Sequence, residues 1–322
     1  MEVARIVVMT PDWLILHAGA LGDLVLTVQT LLRIGDFGAA SRIHLLSRAN
    51  PGDLSAWTPS ITRQSLDGLA AHWLYSDGDE PPPADLRGLI VGRRVLNALG
   101  GADTVVHRRL AILQPARLLS FDPRPHSDWR EHITEQWLRD LKPQLKAADS
   151  VAGRSHLLHT KHRLIAGATP TSPPRCVLIH PGSGGRAKCW PLDNFRALAR
   201  DVCNGGHAVR FIIGPVELER WPETDFEGLG QDFPLLICED ADTLVQAVSA
   251  AGLFVSNDSG TAHLAALVGT PTLTIFGPTS PVVWRPLGRE SEIVAGDPER
   301  DAVDWEITAR HVADRIREML PL

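Results

Sequence analysis

Asp23, Lys188 and the turn Asp258-Ser259-Gly260-Thr261 with nearby His263 are the residues of this chain whose types and settings suit chemistry. Asp23 closes a glycine-bearing turn in "HAGALGDLVLTV" (17–28), between a strand pattern and a helix pattern. Such junctions favour anions, because unbonded backbone N–H groups and the helix dipole point there. A carboxylate would repel a phosphate, but it can take a proton from an attacking hydroxyl. The ordinary alternative is an N-cap for a helix over 24–33.

Four polar clusters follow strand patterns in the second half. They are "HPGSGGRAKCWP" (180–191), "GPVELE" (214–219), "SNDSGTAH" (256–263) and "FGPTSP" (276–281). In a parallel sheet, ligands bind at the carboxyl ends of strands, so four such ends predict one pocket. The N–H groups of Ser259, Gly260 and Thr261 suit a diphosphate at a helix N-terminus, with Gly260 permitting close approach and His263 donating to a phosphate oxygen. Asp258 is a binding residue or a plain N-cap. The loop holding Ser183 and Gly184 can wrap an anion, and Lys188 adds a charge against a departing diphosphate. Glu217 can accept from ribose hydroxyls, or simply sit in a first helical turn. The G-x-x-x-x-G-K-[ST] loop of nucleotide triphosphatases is absent. Ser259 and His263 lack the G-x-S-x-G frame of a serine hydrolase.

The elements that must position these residues alternate. "DWLILHAG", "RIHLLS", "CVLIHPG", "AVRFIIG", "LFVSND" and "PTLTIFG" read as strands, with helices at "LVLTVQTLLRI", "LDNFRALARDVC", "ADTLVQAVSAA" and "GTAHLAALVG". Nearly continuous apolar strands separated by helices predict a parallel α/β sheet covered on both faces. "DWREHITEQWLRDLK" predicts a helix with Ile133, Trp137, Leu138 and Leu141 along one side, and "WEITARHVADRIREML" a final one. Residues 50–85 show no clear period, and "SDGDEPPPAD" reads as a loop. "AGATPTSPPR" reads as an interdomain linker.

The 322 residues favour two domains, and 44% hydrophobic with 22% charged residues is an ordinary globular balance. The N-terminus lacks a secretory pattern, and no apolar run is long enough to span a bilayer. Four cysteines without C-x-x-C spacing suggest buried thiols in a reducing cytosol, not a zinc site. A net charge of −6 argues against a nucleic-acid partner. Residues 86–163 nevertheless hold 14 Lys/Arg against 7 Asp/Glu, a face suited to an anionic partner or a membrane surface.

Taken together, "GALGDLVLT", "HPGSGGRAKCWPLDNFRALA", "FIIGPVE" and "VSNDSGTAHLAALVGTPTLTIFGPTSP" resemble the family 9 glycosyltransferases, typified by ADP-heptose:lipopolysaccharide heptosyltransferases. The resemblance covers nearly all of residues 176–285 and the first strand–turn–helix. It implies a GT-B architecture of two Rossmann-like domains. Residues 1–165 would bind the acceptor and 166–322 the nucleotide-sugar, with the final helix packing back on the first domain. It further implies inverting transfer of a sugar, heptose from ADP-heptose in the type members, to an anionic glycan or glycolipid of the lipopolysaccharide core, with no metal or other cofactor. A cytoplasmic enzyme touching the inner membrane peripherally is the expected setting. On this pattern Asp23 is the general base, and Lys188, Ser183 and Gly184 contact the diphosphate. Glu217, or Glu219, contacts the nucleotide, and Asp258, Ser259, Gly260, Thr261 and His263 complete the donor site. Gly22, Arg108 and Arg109 are the acceptor candidates, with His107 and Arg117 beside them. The chain departs from the family pattern between residues 60 and 120. An NAD-dependent oxidoreductase lacks its glycine fingerprint here. A non-catalytic nucleotide-sugar scaffold would not need Asp23.

Overall fold

The apolar runs form two parallel sheets in a computed structural model that describes residues 13–34, 42–52, 61–145, 176–296 and 307–320. The first sheet comprises β1 (Trp13–His17), β2 (Ile43–Ser47), β3 (Ile61–Ser65), β4 (Arg94–Ala98) and β5 (Arg117–Ser120), in the order β3-β2-β1-β4-β5. The second comprises β6 (Cys176–His180), β7 (Ala208–Ile213), β8 (Leu235–Ile237), β9 (Leu253–Asn257), β10 (Thr272–Phe276) and β11 (Ser291–Ala295), in the order β11-β10-β9-β6-β7-β8. Helices α1 (Leu21–Leu32), α2 (Ala84–Ile90), α3 (Val105–Ile112) and α4 (Ile133–Leu141) cover the first sheet. The second unit carries α5 (Leu192–Asn204), α6 (Pro215–Arg220), α7 (Glu223–Asp232), α8 (Ala241–Ser249), α9 (Gly260–Val268), α10 (Pro281–Trp284) and α11 (Ala309–Met319).

The side-chain period of two explains the double covering. Trp13 and Ile15 enter one core with Trp137 and Leu141 of α4, while Leu14 and Leu16 enter another with Leu86, Ile90 and Leu110. In β6, Val177 and Ile179 pack under α5, and Leu178 faces α8 and α9. The stretch between 61 and 85 holds β3, a 3-10 turn over Ala71–Tyr75 and the start of α2. Its strand, "ITRQS", is largely exposed at the sheet edge, so it shows no apolar alternation. The α4 helix starts at Ile133 and not at Asp128, with the His132 side chain accepting from Thr134 N–H as its cap.

The final helix corrects an expectation. Among the described residues, Val312, Ala313 and Ile316 of α11 join the core of the second unit, where α11 lies along α5. The crossing back is made instead by α10 and the residues just after it: Val283 and Leu287 are buried in the core of the first unit. Gln29 Nε2 donates to Leu287 O at 2.7 Å, and His132 Nε2 lies 2.8 Å from Arg285 O. The linker "AGATPTSPPR", the division at 165/166 and the first twelve residues lie outside the described residues.

Candidate active site

The four strand ends belong to β6, β7, β9 and β10, neighbours in the sheet, so their polar clusters fall along one edge. Asn257, at the end of β9, ties them together. Its Nδ2 donates to Pro181 O at 2.7 Å and Gly182 O at 3.2 Å, and its Oδ1 accepts from Trp190 N–H at 2.8 Å. Trp190 Nε1 in turn donates to Ile307 O. A buried amide that satisfies several backbone groups fixes the 181–190 loop at both ends. The sequence reading missed Asn257, although a polar side chain ending an apolar strand was a visible signal.

Ser259 holds the N-cap position of α9 without a side-chain bond to the helix amides, and Asp258 before it has other partners. Its Oδ2 accepts from Lys188 Nζ at 3.0 Å and from Thr279 Oγ1 at 2.7 Å, while Ser183 Oγ donates to its backbone carbonyl at 2.7 Å. Asp258 is buried, whereas Lys188 keeps 41% of its side-chain exposure and so remains presentable to a ligand. Gly184 is exposed on the same loop.

Glu217 is buried in the first turn of α6, and Glu219 is exposed, so the former is the carboxylate in the cleft. Its Oε2 accepts from Gly214 N–H at 2.9 Å and lies 3.4 Å from His180 Nε2. Burial pushes its carboxyl up, but the His180 ring and the Gly214 N–H outweigh that and hold it below the ordinary range. A Cβ at Gly182 would overlap the Glu217 carboxylate, so only glycine admits the carboxylate in this position.

Asp23 arrives from the first unit. The α1 helix begins at Leu21, which makes Asp23 its third residue; its Oδ2 accepts from the N–H of the N-cap residue Ala20 at 3.2 Å, the carboxylate half of a capping box. The N-termini of α1 and α9 abut. A Cβ at Gly22 would meet His263 Cδ2 at 2.9 Å, and one at Gly260 would meet Leu21 Cβ at 2.8 Å and Gly22 N at 3.0 Å. This contact brings Asp23 within the fields of Lys188 and Asp258. Burial raises the Asp23 carboxyl above its ordinary range; Ala20 N–H and Lys188 offset part of this, and Asp258 adds to it.

The same seam relocates two expected ligand residues. Gly22 lies in the seam itself, against His263 and Gly260. His263 is buried against it, with Nδ1 unpartnered, and burial pulls its ring down to about 4. Arg109 is also corrected: it is buried, donates to Ser76 O and Gly78 O, and stacks over Trp73 at 4.6 Å. Its charge ties a loop to α3. Arg108 is exposed beside Asp77. His107 Nδ1 lies 2.7 Å from Ser120 Oγ, and the Arg117 guanidinium lies 5.8 Å from the Trp13 ring.

A cleft of about 530 Å³ runs between the units. Ala20, Leu21 and Asn50 wall it on one side. His180, Ser183, Glu217 and the Ser259–Thr261 turn form a polar floor, and Ile212, Ile213 and Leu244 form an apolar slot. A second cavity of about 440 Å³ opens at the carboxyl ends of β1–β3, among Ala18, Arg48, Asp67, His72 and Tyr75. Among the described residues no group of three His, Cys, Asp or Glu could hold a metal ion, and no helix is long and apolar enough to cross a membrane.

Two parallel-sheet α/β units bounding a cleft define the GT-B class of fold. Escherichia coli heptosyltransferase WaaC, solved with ADP, superposes with a TM-score of 0.64 at 18% identity, covering 96% of this chain and 99% of that one. The E. coli ADP-heptose heptosyltransferase II gives 0.62 at 16%, covering 96% and 98%. Residues 104–310 match glycosyltransferase family 9 (heptosyltransferase), and the chain belongs to that family. Lipopolysaccharide heptosyltransferase 1 of Salmonella typhimurium is 24% identical over 204 residues, 61% of this chain and 60% of that protein. Lipopolysaccharide heptosyltransferase 3 of E. coli K12 is 26% identical over 193 residues, 56% and 46% respectively. The chain thus spans between a third and three-fifths of the length of the curated relatives it matches.

Proposed function

We propose that the protein is an inverting glycosyltransferase that moves heptose from ADP-heptose to a hydroxyl of a lipopolysaccharide core or related glycan. The observation that carries this is the close approach of the N-termini of α1 and α9, which brings Asp23, from one unit, within the fields of Lys188 and Asp258 of the other. In the proposed step, Asp23 takes the proton of the acceptor hydroxyl as its oxygen bonds to the anomeric carbon. The bond from that carbon to the diphosphate oxygen breaks on the opposite face, and ADP departs. Lys188 and the free N–H groups at the start of α9 receive the charge that develops on the leaving group. A raised carboxyl suits a base that must hold a proton transiently. The apolar slot suits the nucleobase and Glu217 the ribose. The seat for the acceptor is the cavity at Arg48, Asp67, His72 and Tyr75, which replaces Gly22, Arg108 and Arg109 in that role. The resemblance implies no metal and a cytoplasmic enzyme at the inner face of the membrane, and both belong to this proposal.

The test is sugar transfer from ADP-heptose to a lipid A–core acceptor, followed by mass spectrometry, with Asp23→Asn beside the native protein. Losing a positioned base costs roughly 10²–10⁴-fold in rate. We expect that loss with ADP binding retained. Native-like turnover in Asp23→Asn would refute the assignment, and thermal stabilisation by NAD but not ADP would refute the donor.

A further inference from the structure

His180 ends β6 on the floor of the cleft, and the transfer step leaves it without a role. It is 5% exposed and sits between two partners: Thr261 Oγ1 is 3.1 Å from Nδ1, and Glu217 Oε2 is 3.4 Å from Nε2. Ser259 Oγ lies a further 2.8 Å from Thr261 Oγ1. Proton directions along this chain follow from its end. An ionised Glu217 only accepts, so Nε2 carries a proton. A ring with one proton then accepts at Nδ1 from Thr261, and Thr261 accepts from Ser259. Both hydroxyls at the start of α9 thereby point their protons inward and their lone pairs toward the cleft.

That polarity opposes a diphosphate seated at α9. A second proton on the ring reverses it. Nδ1–H then donates to Thr261 Oγ1, and the hydroxyls of Thr261 and Ser259 turn outward as donors to phosphate oxygens. We infer that binding of a nucleoside diphosphate takes up a solvent proton on His180, which makes His180 a positioning residue for the donor. The inference rests on the nucleotide-sugar reading above. The charged groups around the ring are Glu217 of α6 at 3.4 Å, Glu239 and Asp240 on the cleft wall ahead of α8, and Lys188, which is paired with Asp258. The nearby thiols of Cys189 and Cys238 are pushed up to about 11 by burial and stay neutral.

The experiment is calorimetric titration of ADP into the native protein, His180→Gln and Thr261→Val, in buffers of different ionisation enthalpy at several pH values. The titration of ADP itself is common to all three proteins and cancels in the differences. The native protein should take up as much as one proton, with affinity rising toward about tenfold per pH unit as pH falls. Glutamine can bridge Thr261 and Glu217 but cannot titrate, so its uptake should vanish. Thr261→Val, similar in shape, should lose most of it and decides the question if His180→Gln does not fold. Equal uptake in native protein and the folded variants would overturn the relay alone. Failure of ADP to bind the native protein would overturn the donor reading and this inference together.

Discussion

The seam between α1 and α9 makes Gly260→Ala an informative perturbation. The added methyl would stand 2.8 Å from Leu21 Cβ and 3.0 Å from Gly22 N. Carbon pairs rest at about 3.5–4.0 Å, so α1 and α9 must part by roughly 0.7–1.2 Å. One of the two obstructing atoms is backbone, so no rotamer change relieves the clash. Overpacking of this kind costs about 1–3 kcal/mol. At about 2–4 °C per kcal/mol for a chain unit of this size, the melting temperature should fall by several degrees. The chemistry should suffer more. Lys188, Asp258 and Glu217 stay with α9, while Asp23 moves away with α1, and a misplacement near 1 Å costs on the order of 10²-fold in rate. The assay pairs thermal melting and ADP titration with a single-turnover transfer measurement. The expected result is a lowered melting point, near-native ADP affinity and transfer down roughly a hundredfold. A variant as stable and as active as the native protein would refute the contact and the placement of Asp23 that depends on it.

Other outcomes follow from neighbouring features. Lys188→Ala should weaken ADP binding by roughly 10–100-fold, the worth of a charge-assisted bond of about 1.5–3 kcal/mol, read by calorimetry. Trp190→Phe should keep the edge-on contact with Phe195 at 5.0 Å but lose the bond to Ile307 O, costing about 0.5–1.5 kcal/mol in denaturant unfolding. His17 and His263 are buried and each pulled down to about 4 from 6.5 by burial. The unfolded chain therefore binds more protons than the folded one between these values, and stability falls as pH drops from 6.5 toward 4. His17→Leu, which removes two unpartnered ring nitrogens, should flatten that acid limb in melting curves across pH 4–7.

The parallel sheets and the convergence of four loops were legible because each strand is apolar along its length and each loop begins where the apolar run stops. Asp23, Ser183, Lys188, Glu217 and Asp258 could be marked for the same reason. What escaped the reading is long-range. Arg109 is claimed by Trp73 and Gly78, more than thirty residues earlier, and nothing beside it in the chain shows that. His263 follows a helix start and so reads as a phosphate donor, but its ring meets Gly22 of the other unit. The final helix has a strong apolar side without any sign of which sheet receives it. The His180 chain joins positions 37 and 81 residues apart, which only folding brings together.

The placement of Val283 and Leu287 bears on how this architecture can be recombined. Their side chains belong to the body that precedes them by some 150 residues, so exchanging the amino-terminal lobe for another at a single cut near the middle would strip that lobe of part of its own interior. A viable hybrid must carry the pentapeptide 283–287 with the incoming lobe, along with the Gln29 and His132 side chains that hold its carbonyls. Seen this way, a graft of the first lobe of this chain requires three crossover points, not one.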